Sequence, residues 1–371
     1  MQSEKMDRTI HLPYFMKSFL WLNEKLCSFS LFNGEFYLFD IFRKEPTIIS
    51  TEKSYSSMIF NEQKEQIFCG QMISNVIDIF DLNAQKFRPF YSSSKNTEAF
   101  YKYLSFDLID NNQILASMVL IKESKKKNNN KLVLHDLRTQ KPIFKKNLPF
   151  KDICCVNTKG NYMAFSWNKD EIHSYSIINT NSILKNEKFF DELLTKECDF
   201  ILKAEDLSLI NKETTSLAYS PSGSFLSLGK SNGCLSLYDI SPSADLFLPS
   251  NLNLLIKAHQ PLKFQQPGKL PEYTDVSICD IDFFPKLFEG KENRLVSSGK
   301  QGSLKFMNFD KRKVYGNLDW EVDQSGNYVG GYFEKVKWGP SGKYMMLLKS
   351  PDDNKKDFNE CIMNVLESPF K

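Results

Sequence analysis

The stretch LAYSPSGSFLSLGKSNGCLSLYDI, residues 217–240, places apolar residues at every second position in two short runs, each leading into a polar turn. A period of two is the signature of a strand with one face buried. Pro221-Ser222-Gly223 and Asn232-Gly233 supply the fixed φ and the residue tolerant of positive φ that tight turns need. The pattern predicts strand, turn, strand, with a polar side chain facing away from an apolar neighbour at each alternate position.

The last run of this stretch, CLSLYDI, recurs along the chain. Related segments are EFYLFDI with Asp40, VIDIFDL with Asp81, KLVLHDL with Asp136, EIHSYSI with Ser176, SLKFMNF with Asn308 and ECIMNVL with Asn364, which makes seven copies with Asp239. Each follows a matching strand–turn–strand pair, such as ICCVNTKGNYMAFSWNKD at 153–170 and VKWGPSGKYMMLLKS at 336–350. A four-stranded unit of this kind cannot bury both of its faces alone, so such units stack radially around a shared core.

The repeat resembles the WD-repeat β-propeller family in a degenerate form. The resemblance rests on SPSGSFLSLGKSNGCLSLYDI, with its small-residue strand end, Asn-Gly turn and aromatic–Asp finish, together with HDL at 135–137, FDI at 39–41 and FDL at 80–82. No copy contains Trp-Asp, and the family's Gly-His survives only as Ala258-His259. In the family that histidine and a turn aspartate form a buried network that stiffens each blade. The resemblance therefore implies structural roles for Asp40, Asp81, Asp136, Asp239 and His259, with most blades held by packing alone.

The expected fold is all-β: residues 1–371 as a single seven-bladed β-propeller. The last copy ends four residues before the C-terminus, too soon for an outer strand, whereas RTIHLP at 8–13 has nothing before it to pair with. Residues 1–14 are thus expected to close the ring as the outer strand of the last blade, covering an edge otherwise open to aggregation.

Spacings between equivalent positions run 41, 55, 40, 63, 69 and 56 residues, so some copies carry insertions, chiefly 179–205 and 241–275. Insertions in a repeat fold map to loops, where binding chemistry concentrates. KNEKFFDELLTKECDFILKAE at 185–205 has apolar spacings of one, three, four and seven, predicting one short inserted helix that runs into an outer strand. KESKKKNNNK at 122–131 is a basic hairpin tip whose Lys125, Lys126 and Lys127 are candidates for contacting phosphate or an acidic partner. Phe264 and Tyr273 sit in a proline-rich excursion, and Tyr328, Tyr332 and Phe333 flank Gly330-Gly331. These five aromatics are candidate partner-binding residues, because rings bury much area at low entropy cost.

Net charge is +3, from 48 basic and 45 acidic residues, too balanced to announce nucleic acid or membrane partners for the chain as a whole. The N-terminus lacks the positive start and apolar run of a signal peptide, and no membrane span is visible. Eight cysteines without CxxC spacing, mostly inside apolar runs, read as buried thiols in a reducing compartment, and no Asn-x-Ser/Thr acceptor occurs. An intracellular protein, cytoplasmic or nuclear, is expected. GxxxxGK[ST], GxGxxG, HExxH and GxSxG are all missing, and the four histidines lie on separate repeats. No catalytic residue, metal site, cofactor or small-molecule substrate is assigned.

The sequence thus predicts a non-catalytic scaffold binding one or more proteins in a larger intracellular assembly. RNA or ribonucleoprotein contact through 122–131 and 260–275 is the alternative, and nucleic acid is not the favoured partner. A third reading is a propeller enzyme or small-ligand binder using the central channel.

Overall fold

The computed structural model describes residues 7–368 except 44, 93–99, 110–111, 123–128, 149–151, 160–161, 170–171, 180–212, 240–250, 261–262, 265–271, 274, 286–293, 309–312, 320–331 and 351–360. The chain divides into two compact units, Met16–Ile201 with Ser243–Phe247, and Met1–Phe15 with Leu202–Pro242 and Leu248–Lys371.

The 202–371 unit begins with β1 (Asp7–Leu12). The 16–201 unit then stacks four antiparallel sheets in chain order. The first is β2 (Met16–Trp21), β3 (Leu26–Leu31), β4 (Glu35–Asp40) and β5 (Thr47–Ser50), and the second is β6 (Tyr55–Asn61), β7 (Gln66–Gln71), β8 (Val76–Asp81) and β9 (Lys86–Ser92). The third is β10 (Phe100–Ile109), β11 (Ile114–Lys122), β12 (Asn129–Asp136) and β13 (Lys141–Leu148). The fourth has three strands, β14 (Asp152–Lys159), β15 (Tyr162–Lys169) and β16 (Ile172–Asn179).

In the 202–371 unit, β17 (Thr214–Tyr219), β18 (Phe225–Lys230), β19 (Cys234–Asp239) and β20 (Asn251–Lys257) form one sheet. A small ladder, β21 (Lys263–Phe264) with β22 (Glu272–Tyr273), precedes β23 (Ile278–Phe283), β24 (Arg294–Gly299), β25 (Ser303–Asn308) and β26 (Lys313–Asp319). The last sheet runs β27 (Tyr332–Trp338), β28 (Tyr344–Ser350), β29 (Cys361–Glu367) and then β1. β1 pairs antiparallel along β29 from Asp7–Leu366 to Leu12–Cys361, and Asn364 Nδ2 donates to Thr9 Oγ1 at 2.8 Å.

Two parts of the expected fold are corrected. The described residues form six complete four-stranded blades, not seven, because no described strand follows β16 before β17. The segment expected to supply that outer strand falls in the 179–205 insertion, which beyond Asn179 lies outside the described residues, as does the helix expected at 185–205. Among the described residues there is no α-helix, only a 3-10 turn at Glu62–Lys64 that the Asn61 side chain caps through Lys64 N.

Apolar layers lie between successive sheets. In the 16–201 unit Phe36, Tyr55, Ile67 and Phe80 fill the first layer, Phe68, Tyr103, Phe106 and Val133 the second, and Met118, Leu132, Leu134 and Met163 the third. Leu235, Ile278 and Leu295, then Phe306, Phe333 and Trp338, do the same in the other unit. Alternation along each strand puts one apolar row on each face, which is why the second and third strands of the blades read as nearly continuous buried runs.

Such layers require small residues where an inner strand crosses the neighbouring sheet. A Cβ on Gly70 would lie 2.6 Å from ring atoms of Phe106 and Tyr103. Gly70→Ala is therefore expected to cost about 1–3 kcal/mol by overpacking, read as a lower urea midpoint with an unchanged m-value.

Candidate functional site

Polar groups in this chain fall into two classes, those spent on joining strands and those left at the turns. The repeat aspartates belong to the first. Asp40 accepts from Phe42 N at 2.9 Å, Asp81 from Asn83 N at 3.1 Å and Ala84 N at 3.0 Å, and Asp136 from Arg138 N at 2.7 Å and Thr139 N at 3.3 Å. Each is an Asx-type cap on the turn into the outer strand. The amides of Ala84 and Arg138 hold the Asp81 and Asp136 carboxyls below the usual carboxylate range. Asp136→Ala is expected to lower Tm and Asp136→Asn to leave it nearly unchanged, since the amide oxygen still accepts. Asp239 ends β19 in the equivalent place, half-buried.

His259 is fully buried in the connection from β20 towards β23. Its Nε2 lies 2.9 Å from Ser297 Oγ and its Nδ1 3.3 Å from Ser303 Oγ, while Gln301 Nε2 meets Nδ1 and donates to Ser303 Oγ at 2.9 Å. With an amide donating to Nδ1, the ring proton sits on Nε2 and points to Ser297. Gln301 thus supplies the histidine's partner from the turn between β24 and β25, and the network is neutral. Burial, with Lys305 nearby, lowers the His259 pKa to about 3. Gly299 makes room: a Cβ there would sit 2.5 Å from His259 Nδ1.

Elsewhere the blades are not held by packing alone. Asp78, 1% exposed, accepts from Gln71 Nε2 at 2.7 Å, Tyr55 OH at 3.1 Å and Lys53 Nζ at 3.2 Å. Every inner strand carries an irregularity in its register near its start, at Met16/Ser18, Tyr55/Ser57, Tyr103/Ser105, Ile153/Cys155, Thr214/Ser216, Ile278/Asp280 and Phe333/Lys335. A bulge takes a carbonyl out of the ladder, and neighbouring hydroxyls use it. Ser18 Oγ donates to Tyr55 O at 3.1 Å, Ser56 Oγ to Tyr103 O at 2.8 Å and Thr215 Oγ1 to Ile278 O at 2.5 Å.

Between β23 and β27 carboxylates replace hydroxyls. Asp280 Oδ2 accepts from Val336 N at 3.2 Å and Asp282 Oδ2 from Trp338 N at 2.7 Å, with Lys337 Nζ 3.3 Å from Asp280 and 3.8 Å from Asp282. Burial pushes the Asp282 carboxyl up to about 6 despite Lys337. Burial pulls Lys337 down, yet the two carboxylates together hold it above its ordinary value. These groups satisfy backbone donors on the free edge of β27, so their chemistry is directed at the next blade.

Among the described residues, exposed large apolar side chains lie on the outer strands, as Ile48 and Ile143 do, and also in turns. Phe32, in the turn from β3 to β4, is 54% exposed, and Ile73, in the turn from β7 to β8, is 66% exposed. Lys17 Nζ stands 5.1 Å from the Phe32 ring centroid. The two turns adjoin through Ser54, whose Oγ donates to Leu31 O at 3.3 Å and whose carbonyl accepts from Met72 N at 2.8 Å. Neither Phe32 nor Ile73 stood out in the sequence, since a lone apolar residue in a turn has no periodicity to mark it.

The sequence-derived partner residues are dispersed. Lys125, Lys126, Lys127 and Tyr328 lie outside the described residues. Phe264 and Tyr273 stand on β21 and β22, which pair as Lys263–Tyr273 and Phe264–Glu272. Tyr332 is half-buried, with Lys300 Nζ 5.9 Å from its ring. Phe333 is 1% exposed and packs with Val336 and Trp338, so its ring belongs to the core rather than to a surface cluster. His135 is also buried, its ring 4.8 Å from Tyr91 and 6.0 Å from Phe90, and burial lowers its pKa to about 4. Among the described residues, no group of three His, Cys, Asp or Glu side chains is placed to hold a metal ion, and no helix is long and apolar enough to cross a membrane.

No protein-family model matches the chain, and no curated protein matches its sequence. Solved structures do. The chain is similar to U3-55K with a TM-score of 0.62 and 8% identity, over 97% of this chain and 98% of that one. It is similar to the RRP9 WD40 repeats with a TM-score of 0.62 and 8% identity, over 97% of each chain. At that identity the likeness is one of fold, and the fold is that of the WD-repeat β-propellers. Since 1429 solved chains match, the fold by itself selects no activity.

Proposed function

We propose that the chain is a non-catalytic protein-interaction scaffold acting in a larger intracellular assembly. The observation that carries this reading is the division of labour among its polar and apolar groups. Buried polar clusters around His259 and Asp78 and a half-buried one around Asp280 are engaged with other strands of their own unit, while two large apolar side chains, Phe32 and Ile73, stand in solvent at adjacent turns. Surface apolar groups at rigid turns fit a docking role. The buried free thiols of Cys27, Cys69, Cys234 and Cys361 support an intracellular setting.

The test is purification of the tagged full chain, washed at low and then high salt, with mass spectrometry and an RNA assay of the eluate. The scaffold reading expects a defined protein set that survives high salt. RNA contact is the second reading, favoured by the basic run 122–131 in the connection from β11 to β12. It expects RNA that leaves as salt rises and is lost when Lys125, Lys126 and Lys127 become Ser. A complex that holds no protein at high salt overturns the scaffold.

A further inference from the structure

The outer strands of the second and third sheets stand apart in charge. β9 (KFRPFYS) and β13 (KPIFKKNL) together carry five basic residues and no acid. By contrast β5 (TIIS) is uncharged, β20 (NLNLLIK) has one lysine, and β1 (DRTIHL) and β26 (KVYGNLD) carry both signs. Lysines on an outer strand also guard it against unwanted pairing, but a guard works on either face of the strand, and β5 does without one.

Register turns three of these cations towards a single seam. Arg88 lies opposite Ile79 and Lys145 opposite Val133, and Ile79 and Val133 belong to the same apolar layer between the two sheets. Directly opposed residues share a face, so Arg88 and Lys145 emerge from facing sides of that layer at its outer margin. Lys86, two residues before Arg88, shares its side. The strands meet beneath them, with the His135 ring 4.8 Å from Tyr91 and 6.0 Å from Phe90.

Lys86, Arg88 and Lys145 are all exposed, and among the described residues neither lysine makes an ion pair. The acid on the same face, Asp81, is engaged by its own turn: the Ala84 amide foremost, and Arg88 to a lesser degree, hold its carboxyl below the usual range. On the floor of the seam burial keeps the His135 ring neutral, and Lys145 adds to that effect. Positive charge at the seam therefore lacks an equal local counterweight, and a carboxylate-bearing partner supplies one.

We infer that the seam between β9 and β13 binds an acidic polypeptide segment, its carboxylates drawn among Lys86, Arg88 and Lys145. The inference rests on the scaffold reading and adds to it a contact surface that does not involve Phe32 or Ile73. A polypeptide fits better than RNA, because the rings at the seam are packed rather than open for base stacking: Phe90 is 5% exposed and Tyr91 is half-buried.

The test is a titration of the full chain with a short fluorescent peptide of Glu, Ser and Gly, beside its Lys-for-Glu counterpart and an oligouridine of equal charge. The acidic peptide is expected to bind at least roughly tenfold more tightly than either, and more weakly as salt rises. Arg88→Gln with Lys145→Gln should weaken it by roughly tenfold or more with Tm unchanged. The matched control is Lys141→Gln with Lys146→Gln, which removes two charges from the opposite face of β13, where these residues lie across from Asp136 and Leu132. It should change the affinity by less than about twofold. A preference for the oligouridine, an unchanged affinity in the Arg88 and Lys145 variant, or an equal loss in the control overturns the inference. Failure of the acidic peptide to bind overturns the seam and leaves the high-salt protein complex standing, whereas loss of that complex removes the scaffold reading and leaves the peptide titration intact.

Discussion

Acidification from about pH 7.5 to about pH 5 is expected to remove about 2 kcal/mol of folding stability for each of His135 and His259. Both rings are buried, and burial lowers their pKa values to about 4 and about 3. The unfolded chain takes up a proton on each near the ordinary histidine value of about 6.5, while the folded chain does not. Their contribution is therefore intact above that value and is lost as pH falls towards the folded pKa. Asp282 works in the opposite sense, because its raised folded pKa makes its contribution largest at low pH and lost as pH rises through about 6. The histidine effect is isolated by comparing wild type with His135→Phe, which keeps a ring against Tyr91 and Phe90. Urea unfolding at the two pH values should show the stability difference between them shifting by about 2 kcal/mol in favour of Phe at the lower pH. Parallel curves would mean that His135 is solvated or already charged in the folded protein.

Removal of residues 1–14 is expected to be at least as damaging. It strips β1 from β29, exposing the outer edge of a strand whose Cys361, Met363 and Val365 are fully buried, and it deletes Leu12, itself 1% exposed. Leu12→Ala alone should cost about 2–5 kcal/mol as a buried large-to-small change, and the full deletion more, with aggregation through the uncovered edge. A synthetic peptide of residues 1–14 added in excess should restore thermal stability in a concentration-dependent way, as mass action requires. A truncated chain that melts with the intact one would show that the β1–β29 ladder contributes little.

Much of the strand pattern was legible because alternation and turn chemistry act locally. CLSLYDI and its relatives each fall on a strand of a separate sheet, and the aspartates that end three of them cap the next turn within two or three residues. His259 was legible through the residue before it and its place ahead of a strand. What remained hidden depends on partners distant in sequence. Asp78 meets Tyr55 and Lys53 more than twenty positions away, and Asp280 meets Val336 and Lys337 more than fifty positions away, so neither differs in sequence from an ordinary polar strand residue. Phe333 next to a glycine pair read as a surface aromatic, yet the same alternation that builds β27 turns it inward. The number of complete blades was overestimated because equivalent third strands were counted, and β16 is the outermost described strand of its sheet.

The central claim is that buried polar groups hold the blades while exposed turn residues bind the partner. The most direct measurement sets two double variants side by side, Phe32→Ser with Ile73→Ser and Asp280→Ala with Asp282→Ala, which leaves the Val336 and Trp338 amides without their acceptors, and records Tm and partner recovery at high salt for each. The account predicts that the first keeps its Tm and loses the partner, whereas the second loses Tm and keeps the partner while folded. The reverse pattern, with the partner lost from the carboxylate variant at full stability and retained by the apolar one, would contradict it.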